Sequence, residues 1–431
     1  MLAFAWLLGL SLTANRGSIE SQNEFRSYLT KPDTTYSYSI TRSSMEDTID
    51  LTSQTWQGKP WTHKLIVRES KSPIKKGLCV LLITGNGPRP GDRLLMDAVA
   101  GAVNLPTSFL FSIPNQPLYG FSEDNLIAYT FDKYLETKDP SWPLLFPMTK
   151  SVLRAMDAIQ DATKNSDNPI KQFIITGASK RGWTTWLTGA AGDSRVKAIA
   201  PMVIDNLNLG KQMKHQLELW GKYSEQIIAY TNRGLQAKFV SPEGRHLGDI
   251  VDPYTYRSSI RVPTLIITGA NDPYWAADAC RQYYDDLKQP KWLVTVPNVG
   301  HNLGGGAEAI ETLGAFCHSV AGAYPMPKES WDVRLVNKDT VRISLNFGRG
   351  KLLKLTAWSA VREDFDFKQA RYENVAAAEP TNPNSGRVEV YVKLPTSGNL
   401  SVFGEATYMG TKSFRLCCPT TIFRHQTPAS Q

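Results

Sequence analysis

The chain has 431 residues, 42% hydrophobic, 10% aromatic and 20% charged. That composition excludes disorder and coiled coil and leaves a globular protein of two domains or three, at roughly 150 residues each. Forty-eight basic against 40 acidic residues give a net charge of +8, spread along the chain without a run of five like charges, so a nucleic-acid tail is not indicated. A mildly basic surface favours anionic partners such as membranes or acidic peptides, and a plain solvated surface is the simpler reading.

Residues 1–14, MLAFAWLLGLSLTA, are apolar and end in small residues. The stretch is short of the roughly 20 residues that span a bilayer. It suits the apolar region of a signal peptide cleaved near Ala14, although a basic start is missing, and it points to a secreted or periplasmic protein. The five cysteines, Cys79, Cys280, Cys317, Cys417 and Cys418, are too few and odd in number to form a disulfide framework. Cys79 and Cys317 lie in apolar stretches and read as core thiols; Cys417 or Cys418 can pair in an exported chain. One glycosylation sequon, Asn399-Leu400-Ser401, matters only in a eukaryotic secretory setting.

After a polar lead, residues 36–69 alternate as antiparallel strands do. Apolar runs at 78–84, 108–113, 173–176, 196–204, 264–268 and 292–296 then alternate with helical patterns near 93–104, 123–137, 146–162, 182–191, 276–288 and 304–322. Buried β-rich runs separated by helices predict a mostly parallel, doubly wound sheet covered on both faces, over residues 36–325. The stretch 206–260 is long, polar and helical, and is most simply a cap inserted over the sheet's C-terminal edge. Past AYPMPKES (323–330) the helical periodicity vanishes. WDVRLVN, VRISLNF, LLKLTAW, RVEVYVKL and NLSVFGEATY alternate as strands, predicting a β-sandwich domain at 326–431.

The strongest chemical signal is TGASKRGW at 176–183, where a buried strand runs into Gly177-Ala178-Ser179 and Gly182 opens a helix. A nucleophile elbow needs this context: the chain reverses sharply between small residues and lifts the serine hydroxyl to a helix N-terminus, where backbone N–H groups can hold an oxyanion. Arg181 stands where the usual G-x-S-x-G pattern has glycine, so the string is a moderate match. A purely structural serine in a strand–helix turn is the alternative. A serine nucleophile of an α/β-hydrolase is followed in the chain by its acid and then its base. TLIITGANDPYW places Asp272 just past one buried strand, and WLVTVPNVGHNL places His301 just past the next. All three candidates stand at the C-terminal ends of their strands.

Asp205, ending the MVIDN run, is an alternative acid, or else a strand-end cap. His215 and His246 fall in the insertion, and His63, His318 and His425 have no acid or nucleophile context. There is no HExxH and no paired Cys/His spacing, so neither a metal nor a cofactor is expected. The loop GNGPRPG (85–91) lacks the residues of a P-loop. In a hydrolase it supplies an oxyanion N–H, here from Asn86 or Gly87, the other donor being the backbone N–H of Lys180. GGG at 304–306 reads as a flexible helix start. Arg181 facing a pocket could bind a substrate carboxylate; a salt bridge within the helix N-terminal region is an equal alternative.

LTSQTWQGKPWTH (51–63), LLITGNGP, SIPNQPL, the run EDNLIAYTFDKYLETKDPSWPLLFPMTKSVLRAMDAIQ, TGASKRGWTTWLTGA, PMVIDNLN, DPYTYR, ITGANDPYW and the GHNL turn resemble the PhoPQ-activated pathogenicity-related protein family, whose eukaryotic relatives include autocrine proliferation repressor proteins. The resemblance covers most of residues 45–305. SIPNQPL and TGASKRGW are its specific strings. It implies an α/β-hydrolase fold related to serine esterases and peptidases, usually exported, with links to virulence or secreted signalling, and it supports Ser179, Asp272 and His301 position by position. The expected function is hydrolysis of an ester or peptide bond of a small substrate through an acyl-enzyme, with membrane-surface or cell-surface contact as a further expectation. Two rivals stand beside it. One is a secreted signalling or binding protein that keeps the fold without turnover. The other is a peptidase for cationic antimicrobial peptides, which the +8 charge disfavours.

Overall fold

The structure is a computed structural model that describes residues 18–424; the expected signal segment at 1–14 and His425 lie outside the described residues. Residues 18–30 form helix α1. A meander follows, β1 (Ser37–Thr41), β2 (Asp47–Trp56) and β3 (Lys59–Arg68). Strands and helices then alternate: β4 (Leu78–Ile83), α2 (Asp92–Val103), β5 (Thr107–Leu110), α3 (Glu123–Thr137), α4 (Leu145–Thr163), β6 (Gln172–Ala178), α5 (Lys180–Ala190) and β7 (Val196–Met202). Between β7 and β8 the cap carries α6 (Leu209–Trp220), α7 (Ile228–Thr231), α8 (Leu235–Lys238) and α9 (Pro242–Val251). Strands β8 (Thr264–Gly269) and β9 (Lys291–Val296) and helix α10 (Ala307–Val320) complete this part.

These nine strands make one sheet in the order β1-β2-β3-β5-β4-β6-β7-β8-β9. The β1–β3 edge is antiparallel and β5 through β9 are parallel. With a strand–serine–helix turn after β6 this is the α/β-hydrolase fold. Strand β4 shows why its sequence is a continuous apolar run. Cys79, Leu81 and Ile83 enter the core under α3, α4 and α5, whereas Leu78, Val80 and Leu82 enter the core under α2 and α10. A strand covered on both faces has no polar side to alternate with.

Beyond residue 327 come β10 (Lys328–Asn337), β11 (Thr340–Gly348), β12 (Lys351–Arg362), β13 (Glu373–Ala378), β14 (Ser385–Lys393), β15 (Asn399–Met409), β16 (Ser413–Cys417) and β17 (Thr421–Phe423). They form two antiparallel sheets, β10-β11-β14 and β13-β12-β15-β16, with β17 also pairing β15. Val341, Ile343 and Leu345 of the first meet Leu355, Ala357 and Val402 of the second in an apolar cluster continuous with the α2/α10 face of the large sheet.

The structure differs from the sequence expectation in three respects. The polar lead contains α1, whose Phe25 and Leu29 are buried one helical turn apart against Phe146 and Tyr256. The expected helix at 276–288 is two 3-10 turns, Ala279–Gln282 and Tyr284–Asp286. Tyr283 between them leaves helical geometry (φ −145°) so that its hydroxyl can donate to buried Asp205. Short strands β13, β16 and β17 carry too few residues for a visible alternation.

Candidate active site

Ser179 sits between the last residue of β6 and the first of α5, at φ 58° and ψ −126°. A non-glycine residue there is strained by about 1–3 kcal/mol, and the neighbours make the turn obligatory. A Cβ on Gly177 would come within 2.8 Å of the Arg181 carbonyl oxygen, and one on Gly182 within 2.7 Å of the Met202 oxygen. The second glycine stands one place later than in the usual pattern because its task here is to let α5 approach β7. The Ser179 N–H donates to the Met202 carbonyl at 2.9 Å, which fixes the elbow and leaves the hydroxyl half-buried at the edge of the sheet.

Asp272 follows β8 and His301 follows β9. Gly269 lets the two loops close on each other, since a Cβ there would lie 2.6 Å from the Val299 and Gly300 oxygens. His301 Nδ1 meets Asp272 Oδ2 at 2.8 Å, and His301 Nε2 meets Ser179 Oγ at 2.9 Å. Asp272 is buried, and its second oxygen accepts from the Tyr274 N–H at 2.9 Å. The Tyr274 ring lies 4.3 Å from the imidazole. With Nδ1–H donated to the carboxylate, Nε2 is left to accept the serine proton. The fold therefore brings Ser179, His301 and Asp272 into one hydrogen-bonded row.

Lys180 opens α5, so its backbone N–H has no intrahelical acceptor and is available beside Ser179. The 85–87 loop runs next to it: Ile83 pairs with Gly177, and a Cβ on Gly85 would touch the Arg181 guanidinium at 2.7 Å. Asn86 is exposed and Gly87 half-buried in this loop.

Arg181 corrects the expectation of a substrate-binding arginine. Its guanidinium makes two 2.8 Å bonds to the Glu123 carboxylate, and its Nε donates to the Ile113 carbonyl at 2.5 Å. The planar fork is satisfied by the protein's own carboxylate, from the first residue of α3 rather than from the N-terminal region of α5 itself. Burial alone would raise the Glu123 carboxyl, but hydrogen bonds and charge from Arg181 outweigh it and hold the group at about 2. Gln116 receives the Glu123 N–H at 2.8 Å. The strings SIPNQPL and TGASKRGW thus meet at one ion pair beneath the nucleophile. The Lys180 ammonium reaches Asp124 at 3.0 Å, and Tyr230 of α7 donates to the same carboxylate at 3.1 Å, joining cap to elbow.

Asp205, the alternative acid, takes the Tyr283 hydroxyl instead of a histidine. Burial, with the Asp272 charge adding to it, pushes its carboxyl up to about 7. His63 is buried against Ser53 Oγ (2.9 Å), which in turn touches Ser151 Oγ (2.8 Å). His215 pairs with Asp278 at 2.6 Å, and His318 meets Thr411. His246 pairs with Glu24 of α1 at 3.0 Å, and with Glu20 these two place ligand atoms within 4.8 Å of one another. That grouping had no sequence signal because it joins α1 to a histidine more than 200 positions further along the chain. All five cysteines are buried and free, so Cys417 and Cys418 make no disulfide. Glycines 304–306 all take positive φ ahead of α10, and Leu303–Gly305 form a 3-10 turn.

A family model described as PhoPQ-activated pathogenicity-related protein matches residues 25–368. The chain is 29% identical over 449 aligned residues to autocrine proliferation repressor protein A of Dictyostelium discoideum, covering 94% of this chain and 89% of that protein. Among solved structures it is similar to acetyl xylan esterase 1 from a Thermoanaerobacterium species, with a TM-score of 0.49 and 14% identity over 68% of this chain and 92% of that one. It is also similar to an acetyl xylan esterase from a Paenibacillus species, with a TM-score of 0.48 and 15% identity over 66% and 88%.

Proposed function

The chain belongs to the PhoPQ-activated pathogenicity-related protein family, and on that premise we propose that it is an exported serine hydrolase that cleaves an ester or peptide bond. One observation carries the reading: His301 bridges a strained, half-buried serine and a buried carboxylate, at 2.9 and 2.8 Å. In the first step His301 Nε2 takes the Ser179 proton while Oγ attacks the acyl carbon, and the Asp272 carboxylate holds the imidazolium that forms. The backbone N–H of Lys180 and one from Asn86 or Gly87 receive the oxyanion, aided by the N-terminal dipole of α5. The imidazolium returns its proton to the leaving group. Water then enters by the same base and releases the acid, which regenerates the serine.

The test is turnover of the purified full chain on short-chain acyl esters and on peptide amides, beside Ser179→Ala. The reading expects hydrolysis by the wild type that the variant loses. Hydrolysis unchanged in the folded variant would refute it.

A second reading is favoured by the name of the Dictyostelium relative, an autocrine proliferation repressor. The chain would then be a secreted signal that uses the fold for binding. Biological activity retained by Ser179→Ala would separate the two.

A further inference from the structure

Two asparagines flank the acid and the base. Asn271 immediately precedes Asp272, and Asn298 stands three residues before His301. Both side chains reach out of the large sheet to the same connection between β12 and β13. Asn271 Nδ2 donates to the carbonyls of Phe367 and Ala370, at 2.8 Å each. Asn298 and Tyr372 make a reciprocal pair, with Nδ2 donating to the Tyr372 carbonyl at 2.9 Å and Oδ1 accepting from its N–H at 2.7 Å. Apolar packing closes the same contact: Ala270 is buried in a cluster with Phe367, Ala370 and Tyr372. The Tyr372 hydroxyl is anchored in turn to Ser401 Oγ of β15 at 2.8 Å.

The catalytic loops have a physical need for such support. Strand β9 is the last of its sheet, and what lies beside it belongs to the C-terminal sheets, where Cys417 Sγ of β16 donates to the Thr295 carbonyl at 3.7 Å. Asn298 also holds φ at 61°, a conformation its side-chain bonds help to keep. The same connection reaches the cap, where the Phe365 carbonyl accepts from Trp220 Nε1 at 3.2 Å and Lys368 lies over the Trp220 ring at 4.3 Å.

We propose that the 363–372 loop of the C-terminal sheets is a brace for the His301–Asp272 pair, with Asn271 and Asn298 as its positioning residues; this rests on the hydrolase reading above. The C-terminal sheets are then part of the catalytic unit rather than a docking module beside it. Triad geometry tolerates little error, since a misplacement of about 1 Å can cost roughly 10²-fold in rate.

The test uses the full chain with Asn298→Gly, which keeps the positive φ accessible and removes only the bridge, and Asn271→Ala. A sandwich-core variant, Val390→Ala, serves as the stability control. The brace predicts kcat lower by roughly 10–100-fold in both asparagine variants, with KM nearly unchanged. It also predicts loss of the low-field proton resonance of the His301–Asp272 hydrogen bond. Val390→Ala, with an equal or larger fall in Tm, keeps both. Wild-type kcat and resonance in the asparagine variants would overturn the brace, and so would an equal fall in kcat in Val390→Ala. If the wild type turns over no substrate, the hydrolase reading fails. The resonance then decides the brace by itself: loss in the asparagine variants supports it, and retention overturns it.

Discussion

Ser179 Oγ lies 2.9 Å from His301 Nε2, and Ser53 Oγ lies 2.9 Å from His63 Nε2. By distance alone the two serine–histidine pairs are the same. Ser53 is wholly buried, at a register shift within β2, and His63 is 4% exposed on the neighbouring strand. The far nitrogen of His63 meets the Ser112 carbonyl, not a carboxylate. Burial depresses its imidazole to about 4, against the smaller upward pull of the Ser112 and Phe111 carbonyls. Burial makes it a poor base for a serine proton, and it closes the pair off from substrate. Ser179 has a strained elbow, a helix N-terminus and an acid behind its histidine. Access, the third residue and the backbone separate the candidate catalytic pair from the structural one.

The sharpest way to break this contrast is to remove each serine in turn. Ser179→Ala is expected to lower kcat by roughly 10⁴–10⁶-fold. Ser53→Ala should leave kcat within about twofold and cost about 1–3 kcal/mol of stability by orphaning buried polar atoms, read in a urea titration. Equal losses of activity would dissolve the distinction.

The two candidate acids divide in the same way. Asp272→Asn should reduce kcat by roughly 10⁴-fold, because an amide leaves His301 in the wrong tautomer, whereas Asp205→Asn should keep the rate within about tenfold of wild type. A smaller effect attends the ion pair beneath the elbow. Glu123→Gln leaves the buried Arg181 guanidinium without its charge partner and should destabilise by about 1–3 kcal/mol. Because the Glu123 carboxyl is depressed to about 2, its contribution is fully present above the ordinary carboxylate value of 4.5 and is lost as pH falls toward 2. The Glu123→Gln penalty should therefore shrink on acidification over that window.

Asp205 gives a pH effect of the opposite sign. Its carboxyl is raised from 3.8 to about 7, so the folded state binds the extra proton between those values, and stability falls as pH rises through that interval. Asp205→Asn should flatten that part of the pH–stability curve. A steeper curve in the variant would contradict the assignment.

The fold class was legible because its signals are local. Strand β4 is a six-residue apolar run, and the strand, small-residue and helix sequence at 172–190 is a continuous message. The three residues of the row could be picked out because each stands just past a buried strand, where such folds place reacting groups. What was hidden depends on distant partners. Arg181 finds Glu123 across 58 residues and Asn271 finds Phe367 across 96, and no periodicity announces either. The segment 276–288 has helical spacing, yet the pull of Asp205 on Tyr283 breaks it. Helix α1 could have been found from the i, i+4 spacing of Phe25 and Leu29.

The most direct test of the central claim is to treat the folded protein with a fluorophosphonate serine probe and identify the labelled peptide. The account predicts a single adduct on Ser179, absent from Ser179→Ala and His301→Ala and undiminished in Ser53→Ala. An adduct that survives Ser179→Ala, or a folded wild type that takes no label, would contradict it.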